Sequence, residues 1–447
     1  MVLFASLLCD TLGRRAHRLE RNVRQTGMLT KIEALNYRAL RYISQTLRPF
    51  QVLVGPNASG KSTFLDVVAF IADLINKPTL ADAVYERAGD IRDLTWNRVS
   101  EWFELAVEVD IPPSIQSRPQ LTQYRRLRYE VRIGVQEDSS ELAILAETLW
   151  LAPTSSALPA NHAQPRLFPS EPSVPPHITV EQRTPAGWRK IVNKIEGSGN
   201  DYFRAETTGW NNQFRLGPRR SALANLPEDE SRFPAATWFK RYVSEGVQRI
   251  MLNSEAMRRP SPPQSPRSFL PDGSNLPWVI DDLKQRHPER LSLWVEHLRT
   301  ALPDVRGLDT VERPEDRHRY LVLEYETGLR VPSWLISDGT LRMMALTILA
   351  YLPDVKGVHL IEEPENGIHP RAVEAVFQSL SSVYDAQVLL ATHSPVILSL
   401  TQPEQLLCFA RTAAGETDIV PGDEHPRLAD WRGEVSLSTL YASGVLG

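Results

Sequence analysis

Residues 52–63 read Val-Leu-Val-Gly-Pro-Asn-Ala-Ser-Gly-Lys-Ser-Thr, an apolar strand that runs straight into Gly-x-x-x-x-Gly-Lys-Ser. Few short patterns constrain a chain as tightly. A loop of small residues (Gly55, Pro56, Asn57, Ala58, Ser59, Gly60) lets backbone N–H groups turn inward around the β- and γ-phosphates of a nucleotide. Gly55 and Gly60 permit turns that a Cβ would obstruct. Lys61 adds a point charge on the phosphates, and the Ser62 hydroxyl is placed for Mg²⁺. The helix expected from Thr63 to about Ile75 aims its positive end at the anion. The pattern implies a bound nucleoside triphosphate with Mg²⁺.

The complementary chemistry lies far downstream. Residues 358–363 read Val-His-Leu-Ile-Glu-Glu, followed by Pro-Glu-Asn-Gly-Ile-His-Pro. An apolar strand ending in two acids suits phosphoryl transfer: Glu362 for Mg²⁺, Glu363 to polarise the attacking water. Residues 388–395, Val-Leu-Leu-Ala-Thr-His-Ser-Pro, form a second buried strand ending in His393, within reach of a γ-phosphate or its water. Between phosphate loop and acids stands Leu-Ile-Ser-Asp-Gly-Thr-Leu-Arg-Met-Met (335–344). Ser337 suits an N-cap, Asp338 the positive end of the helix after it. The Ser337 hydroxyl and the Gly339 backbone suit a γ-phosphate. Such a loop is poorly placed to serve its own chain's phosphate loop, so the economical expectation is that it reaches the nucleotide of a second copy.

Taken in this order, Walker A, Ser-x-Gly before an apolar helix, Glu-Glu-Pro and a strand-end histidine resemble the head domain of the ATP-binding-cassette (ABC) superfamily. The wording Ser-Asp-Gly-Thr-Leu-Arg, Ile-Glu-Glu-Pro-Glu-Asn-Gly-Ile-His-Pro and Thr-His-Ser-Pro is similar to its soluble branch. That branch holds RecF-like and structural-maintenance-of-chromosomes (SMC)-like ATPases and the ATPase halves of overcoming-lysogenization-defect (OLD) nucleases. The resemblance covers roughly residues 28–110 and 320–412. It implies an α/β P-loop NTPase of ABC-head type, a mixed sheet plus an antiparallel β layer, with a large α+β insertion between Walker A and signature. It implies ATP and Mg²⁺ as ligands, Glu363 as catalytic base, His393 as γ-phosphate sensor, and Ser337 and Gly339 acting in trans with Arg342 reinforcing them. The chain departs from the pattern in two ways. Glu362 stands where an Asp is usual, and no glutamine follows the signature, which speaks against a transporter subunit. Asn97 is the only candidate for a Q-loop.

The remaining chain reads as follows. Residues 1–27 form an N-terminal extension carrying Arg14, Arg15, Arg18, Arg21 and Arg24, either a binding arm or a stretch without a role. Residues 28–110 form the first lobe of the head, where Tyr37 and Arg38 either pack on adenine or are ordinary strand residues. Residues 111–319 are an inserted lid or docking region, and 320–447 the second lobe. Strands are expected across 99–150 from their alternation, a Pro-rich loop at 152–187, and helices at 234–256 and 277–302. Neither helix holds the heptads of a coiled-coil arm. Basic clusters at Arg125, Arg126 and Arg128, at Arg189, Lys190 and Lys194, and at Arg215, Arg219 and Arg220 lie near aromatic residues. They read either as nucleic-acid contacts or as solvated faces. The balance of 50 basic and 54 acidic residues argues against a dedicated polyanion-coating protein but leaves room for a local basic groove. Cys9 and Cys408 form no disulfide or metal framework, so a reducing cytosol is expected. No apolar run is long enough to span a bilayer.

After His393, 54 residues remain (447 − 393), too few for the Toprim nuclease domain that the OLD nucleases carry. The expectation is an ATP-dependent homodimer that drives or gates a separate effector such as a nuclease. DNA repair or defence against phage is the analogous setting. The alternative is a nucleotide-gated scaffold that holds an effector with little turnover.

Overall fold

The computed structural model describes residues 27–136, 141–153, 168–180, 184–428, 436–444 and 446. The arginine-bearing extension before residue 27, residues 154–167 and 181–183 of the Pro-rich stretch, and the segment around Trp431 lie outside them. The chain forms two compact units, one from residues 27–247 with 403–428 and the other from 248–402 with 436–443.

The first unit opens with the hairpin β1 (Leu29–Tyr37) and β2 (Leu40–Thr46), and then β3 (Phe50–Val54) leads into the phosphate loop and helix α1 (Lys61–Asn76). The helix begins two residues earlier than its sequence suggested. β4 (Trp102–Asp110), β5 (Tyr124–Val135), β6 (Leu142–Pro153), β7 (Arg189–Ile195), β8 (Tyr202–Arg204) and β9 (Asn211–Gln213) follow. They join the hairpin in an eight-stranded antiparallel sheet of order β2-β1-β4-β5-β6-β7-β8-β9. The strands expected across 99–150 are therefore present, and this one sheet draws on both sides of residue 110. Helix α2 (Pro234–Gly246) packs on α1, where Asn76 donates to the Ser244 carbonyl at 2.8 Å.

Four carboxylates lie buried along this sheet, a costly arrangement unless each is paired. Glu104 accepts from the backbone N–H groups of Ile178 and Thr179 and from Arg132. Glu147 accepts from Ala222 and Leu223 N–H and from the Tyr129 hydroxyl. Glu130 takes Val180 N–H, Thr148 and Arg128. Glu33 pairs with Arg128 and Lys31; burial alone would raise its pKa, but these two cations hold it at about 2. The acids thus tie the segments around 178–180 and 221–223 to the sheet.

The same network corrects the reading of two basic clusters. Arg128 is buried among Glu33, Glu108 and Glu130, and Arg126 pairs with Glu108 and Asp110. Lys194 is buried on the carbonyls of Gly217 and Arg220, and Lys190 lies over the Trp150 ring. These four side chains are engaged in holding the sheet together.

The second unit begins at β10 (Val247–Ile250), followed by α3 (Ser254–Arg258), α4 (Leu276–Arg286) and α5 (Pro288–Ala301). The helix expected over 234–256 is therefore interrupted by a strand: β10 pairs beside β14 (Gly357–Glu362), and sheet pairing overrides helical propensity there. The helix expected over 277–302 breaks at His287, because Pro288 has no N–H to continue the first helix and suits the first position of the next. β11 (Val305–Glu312), β12 (Arg319–Tyr325) and β13 (Arg330–Pro332) make a small antiparallel sheet. Helix α6 (Asp338–Thr347) follows, then β14, α7 (Pro370–Leu380), β15 (Ala386–Ala391) and α8 (Pro395–Leu400). β14 and β15 run parallel, and buried Trp294 donates to Thr347 at 2.9 Å, fastening α5 to α6.

The chain then returns to the first unit. β16 (Leu406–Arg411) pairs parallel with β3, and β17 (Thr417–Pro421) antiparallel with β16, giving a mixed sheet behind the phosphate loop. No helix among the described residues is long and apolar enough to cross a membrane.

Candidate functional site

The phosphate loop owes its shape to strands 350 residues away. Val52, Leu53 and Val54 are fully buried, so β3 enters the loop from the core. A Cβ on Gly55 would stand 2.2 Å from the Phe409 carbonyl oxygen, and one on Gly60 would stand 2.4 Å from Thr417 Oγ1. Gly60 also has φ 99°, a left-handed conformation costly to residues with a side chain. Thr417 donates to the Ser59 carbonyl at 3.0 Å. Lys61 Nζ lies on the loop's own carbonyls, 2.7 Å from Gly55 O and 2.8 Å from Pro56 O. Its ammonium is therefore held inside the curl. Pro56, Asn57, Ala58 and Ser62 are exposed, and Thr63 is half-buried. Helix α1 starts at the loop's end and directs the N–H groups of its first turn out of that end.

Tyr37 and Arg38 separate in role. Tyr37 is fully buried against Phe103 and Phe70, with its hydroxyl donating to Asp66 at 2.6 Å. It offers no face to an adenine. Burial and then the Asp66 charge push its pKa well above the usual tyrosine range. Arg38 occupies the hairpin turn at φ 50° and reaches Asp66 at 3.1 Å, its side chain about a third exposed. Arg87 binds the other Asp66 oxygen at 2.8 Å. Asp66 and Arg87 escaped the sequence reading, although a single acid on the apolar face of α1 calls for a cationic partner. Asn97 sits exposed in a tight turn at φ 50°.

In the second unit, β14 ends at Glu362, which pairs with Arg249 at 2.8 Å. Glu363 then takes φ 46°, uncommon for a residue with a side chain, and donates its N–H to the Ala391 carbonyl at 2.8 Å. The kink leaves Glu363 exposed. Glu365 accepts from the Thr392 hydroxyl at 2.7 Å and from His393 N–H at 2.9 Å, tying the loop after the acids to the one that carries His393. The His393 ring meets the Tyr441 hydroxyl at 2.9 Å through Nδ1.

Ser337 caps α6 as expected, accepting from Thr340 N–H, and is exposed. Gly339 has a packing reason to be glycine: a Cβ would stand 2.4 Å from the Gly367 carbonyl oxygen. Two links to the β10–α3 segment hold the turn. Arg342 donates to the Leu252 carbonyl at 3.4 Å, and Arg258 pairs with Asp338 at 2.5 Å. Arg249, Asn253, Asp338, Arg342, Glu362 and Glu363 share the lining of one cleft of about 730 Å³. His393 does not line it. Arg249 and Arg258 lie outside every motif, and no local pattern singles them out.

A family model described as "AAA domain, putative AbiEii toxin, Type IV TA system" matches residues 50–399. No curated protein matches the sequence. Among solved structures, an SMC head bound to the C-terminal winged-helix domain of ScpA is similar at 13% identity and a TM-score of 0.49. An SMC head with an extended coiled coil, bound to the C-terminal domain of ScpA from Pyrococcus furiosus, is similar at 11% and 0.46. Each match covers 88% of this chain and 96% of the other, likenesses too distant to bear on function. The family match runs from the strand before the phosphate loop to the helix after His393, and by it the chain belongs to this AAA-domain family of ABC-type P-loop ATPases.

Proposed function

We propose that the chain binds ATP with Mg²⁺, hydrolyses it slowly, and pairs with a second copy to gate a separate effector protein. The observation that carries this reading is the end of β14, where Glu362 accepts a cation at 2.8 Å and Glu363 is turned outward at φ 46°. A Mg²⁺ ion fits this chemistry, since the carboxylate already receives a guanidinium charge. Ser62 and Glu362 would hold the ion, which when bound supplies positive charge to the phosphate oxygens.

In the proposed reaction Lys61 leaves the Gly55 and Pro56 carbonyls for the phosphates, while the loop N–H groups hold the β- and γ-oxygens. Glu363 accepts a proton from water as its oxygen bonds to the γ-phosphorus. The bond to the bridging oxygen breaks, and ADP and phosphate leave. His393, positioned through Glu365, orients the water. Ser337 and Gly339 of a second copy, with Arg342 behind them, close over the γ-phosphate. The strained backbone at Glu363 is consistent with a residue preorganised for a task. The effector is proposed to be a separate protein, a nuclease in a repair or phage-defence setting. This part rests on the resemblance alone.

Light scattering of Glu363→Gln protein with and without ATP·Mg²⁺ tests the reading, alongside phosphate release by the unaltered protein. A shift from monomer to dimer, lost in Ser337→Arg, supports it. Nucleotide binding without any shift would overturn the trans arrangement, and absence of phosphate release would reduce the protein to a nucleotide-gated scaffold.

A further inference from the structure

Asp338 poses an electrostatic problem. It sits in the first turn of α6 beside Ser337 and is more than half exposed. An acid there suits the helix, but it opposes any second anion that approaches the same helix end. The chain supplies a counter-charge from outside the motif. Arg258, at the end of α3, places Nη2 2.5 Å from Asp338 Oδ1 and is itself about a quarter exposed. Its guanidinium also lies 3.3 Å from the Ile336 carbonyl oxygen, and its own carbonyl accepts the Ser333 hydroxyl at 2.9 Å. One residue therefore grips positions 333, 336 and 338, which bracket Ser337. Its remaining acidic neighbour, Glu255, is largely exposed at 3.2 Å.

We infer that Arg258 is a positioning residue that neutralises Asp338 and fixes the signature turn, so that the turn can receive the γ-phosphate of a second copy's nucleotide. The inference rests on the trans arrangement proposed above and assigns a residue that the motifs do not contain. Arg258 acts through Asp338 and does not itself meet the nucleotide.

The test measures ATP·Mg²⁺-driven dimerisation by light scattering in the Glu363→Gln protein. Arg258→Ala, Asp338→Asn and the double variant are each compared in that background. Binding of a fluorescent ATP analogue by each variant, which depends on its own phosphate loop, controls for folding. Arg258→Ala is expected to raise the protein concentration for half-dimerisation by about tenfold with nucleotide binding unchanged. Adding Asp338→Asn should return most of that loss. If Glu363→Gln alone never dimerises, the trans arrangement fails and the inference falls with it. If it dimerises and Arg258→Ala does too, Arg258 has no such role. If Arg258→Ala is impaired and Asp338→Asn restores nothing, neutralisation is wrong, and Arg258 acts only as a scaffold or as a direct ligand.

Discussion

The phosphate loop and the acid-and-signature region solve the same problem, charge next to charge, by different means. The loop works through backbone. Its glycines are imposed by carbonyl and hydroxyl groups at 2.2 and 2.4 Å, and Lys61 waits on two loop carbonyls. The other region works through side chains, with Arg249 on Glu362 and Arg258 on Asp338, both contributed by the segment at residues 247–258. Backbone geometry permits few substitutes, whereas an ion pair can open and close. The loop should thus behave as a fixed receptor and the second region as the part that responds to its ligand.

Glu363→Gln should give the sharpest separation. Loss of a general base lowers turnover by about 10²- to 10⁴-fold, while nucleotide affinity, set by the loop, stays near that of the unaltered protein. Phosphate release and fluorescent-nucleotide titration measure the two quantities. A parallel loss of both would mean that the regions are not separable.

Gly60→Ala and Lys61→Ala probe the fixed receptor. Removing the lysine charge should weaken nucleotide binding by about 30- to 1,000-fold, corresponding to roughly 2–4 kcal/mol for a charged contact out of water. Gly60→Ala should do comparable damage without removing any charge, because its Cβ meets Thr417 Oγ1. A Gly60→Ala/Thr417→Ser double variant keeps the hydroxyl and the steric conflict, so it should stay impaired. Recovery of binding there would show that the loop can adjust and would weaken the contrast.

The strand carrying the acids has a liability that the loop lacks. His359 is wholly buried in β14 and neither ring nitrogen has a hydrogen-bond partner; burial lowers its pKa from 6.5 to about 4. The folded protein therefore keeps it neutral where the unfolded chain would take up a proton. Its effect on stability is absent above pH 6.5, grows as pH falls, and levels off near pH 4 at a loss on the order of 3 kcal/mol. Urea titrations at pH 7.5 and pH 5 should show a steeper acid loss for the unaltered protein than for His359→Leu. Equal losses would mean that His359 does not titrate in this window.

These contrasts also explain what could be read from residues alone. The phosphate loop, the strand ending in Glu362 and Glu363, the capping role of Ser337 and the alternating strands of 99–150 are local patterns, and local patterns survive without a fold. The partners of those residues are not local. Thr417 stands 357 positions from Gly60 (417 − 60), and Arg249 stands 113 from Glu362 (362 − 249). Nothing in Val-Gln-Arg-Ile distinguishes a strand from the continuing helix until β14 is there to pair with it. Arg128 read as part of a basic cluster because two of the three acids that enclose it, Glu33 and Glu108, lie on other strands and the third, Glu130, alternates with it. Tyr37 read equally as an adenine platform or an ordinary strand residue, and only the packing of Phe70 and Phe103 on its ring decides for the second.

The smallest expected effect bears most directly on the responsive region. Arg249 is 44% exposed, so its pair with Glu362 is screened by water and contributes about 0.2–1 kcal/mol. That guanidinium must give way if Glu362 is to turn to a dication, because two positive charges so close repel. Arg249→Ala should therefore lower the Mg²⁺ concentration for half-maximal nucleotide binding by about two- to fivefold. Arg249→Lys should fall between, since it keeps the charge and loses the planar fork. Added salt should shrink the difference, as it does for an exposed pair. A rise in the Mg²⁺ requirement would reverse the picture: Arg249 would then orient Glu362 for the metal rather than compete with it. The acid would in that case be as preorganised as the phosphate loop, and the contrast between the two regions would be confined to the signature turn.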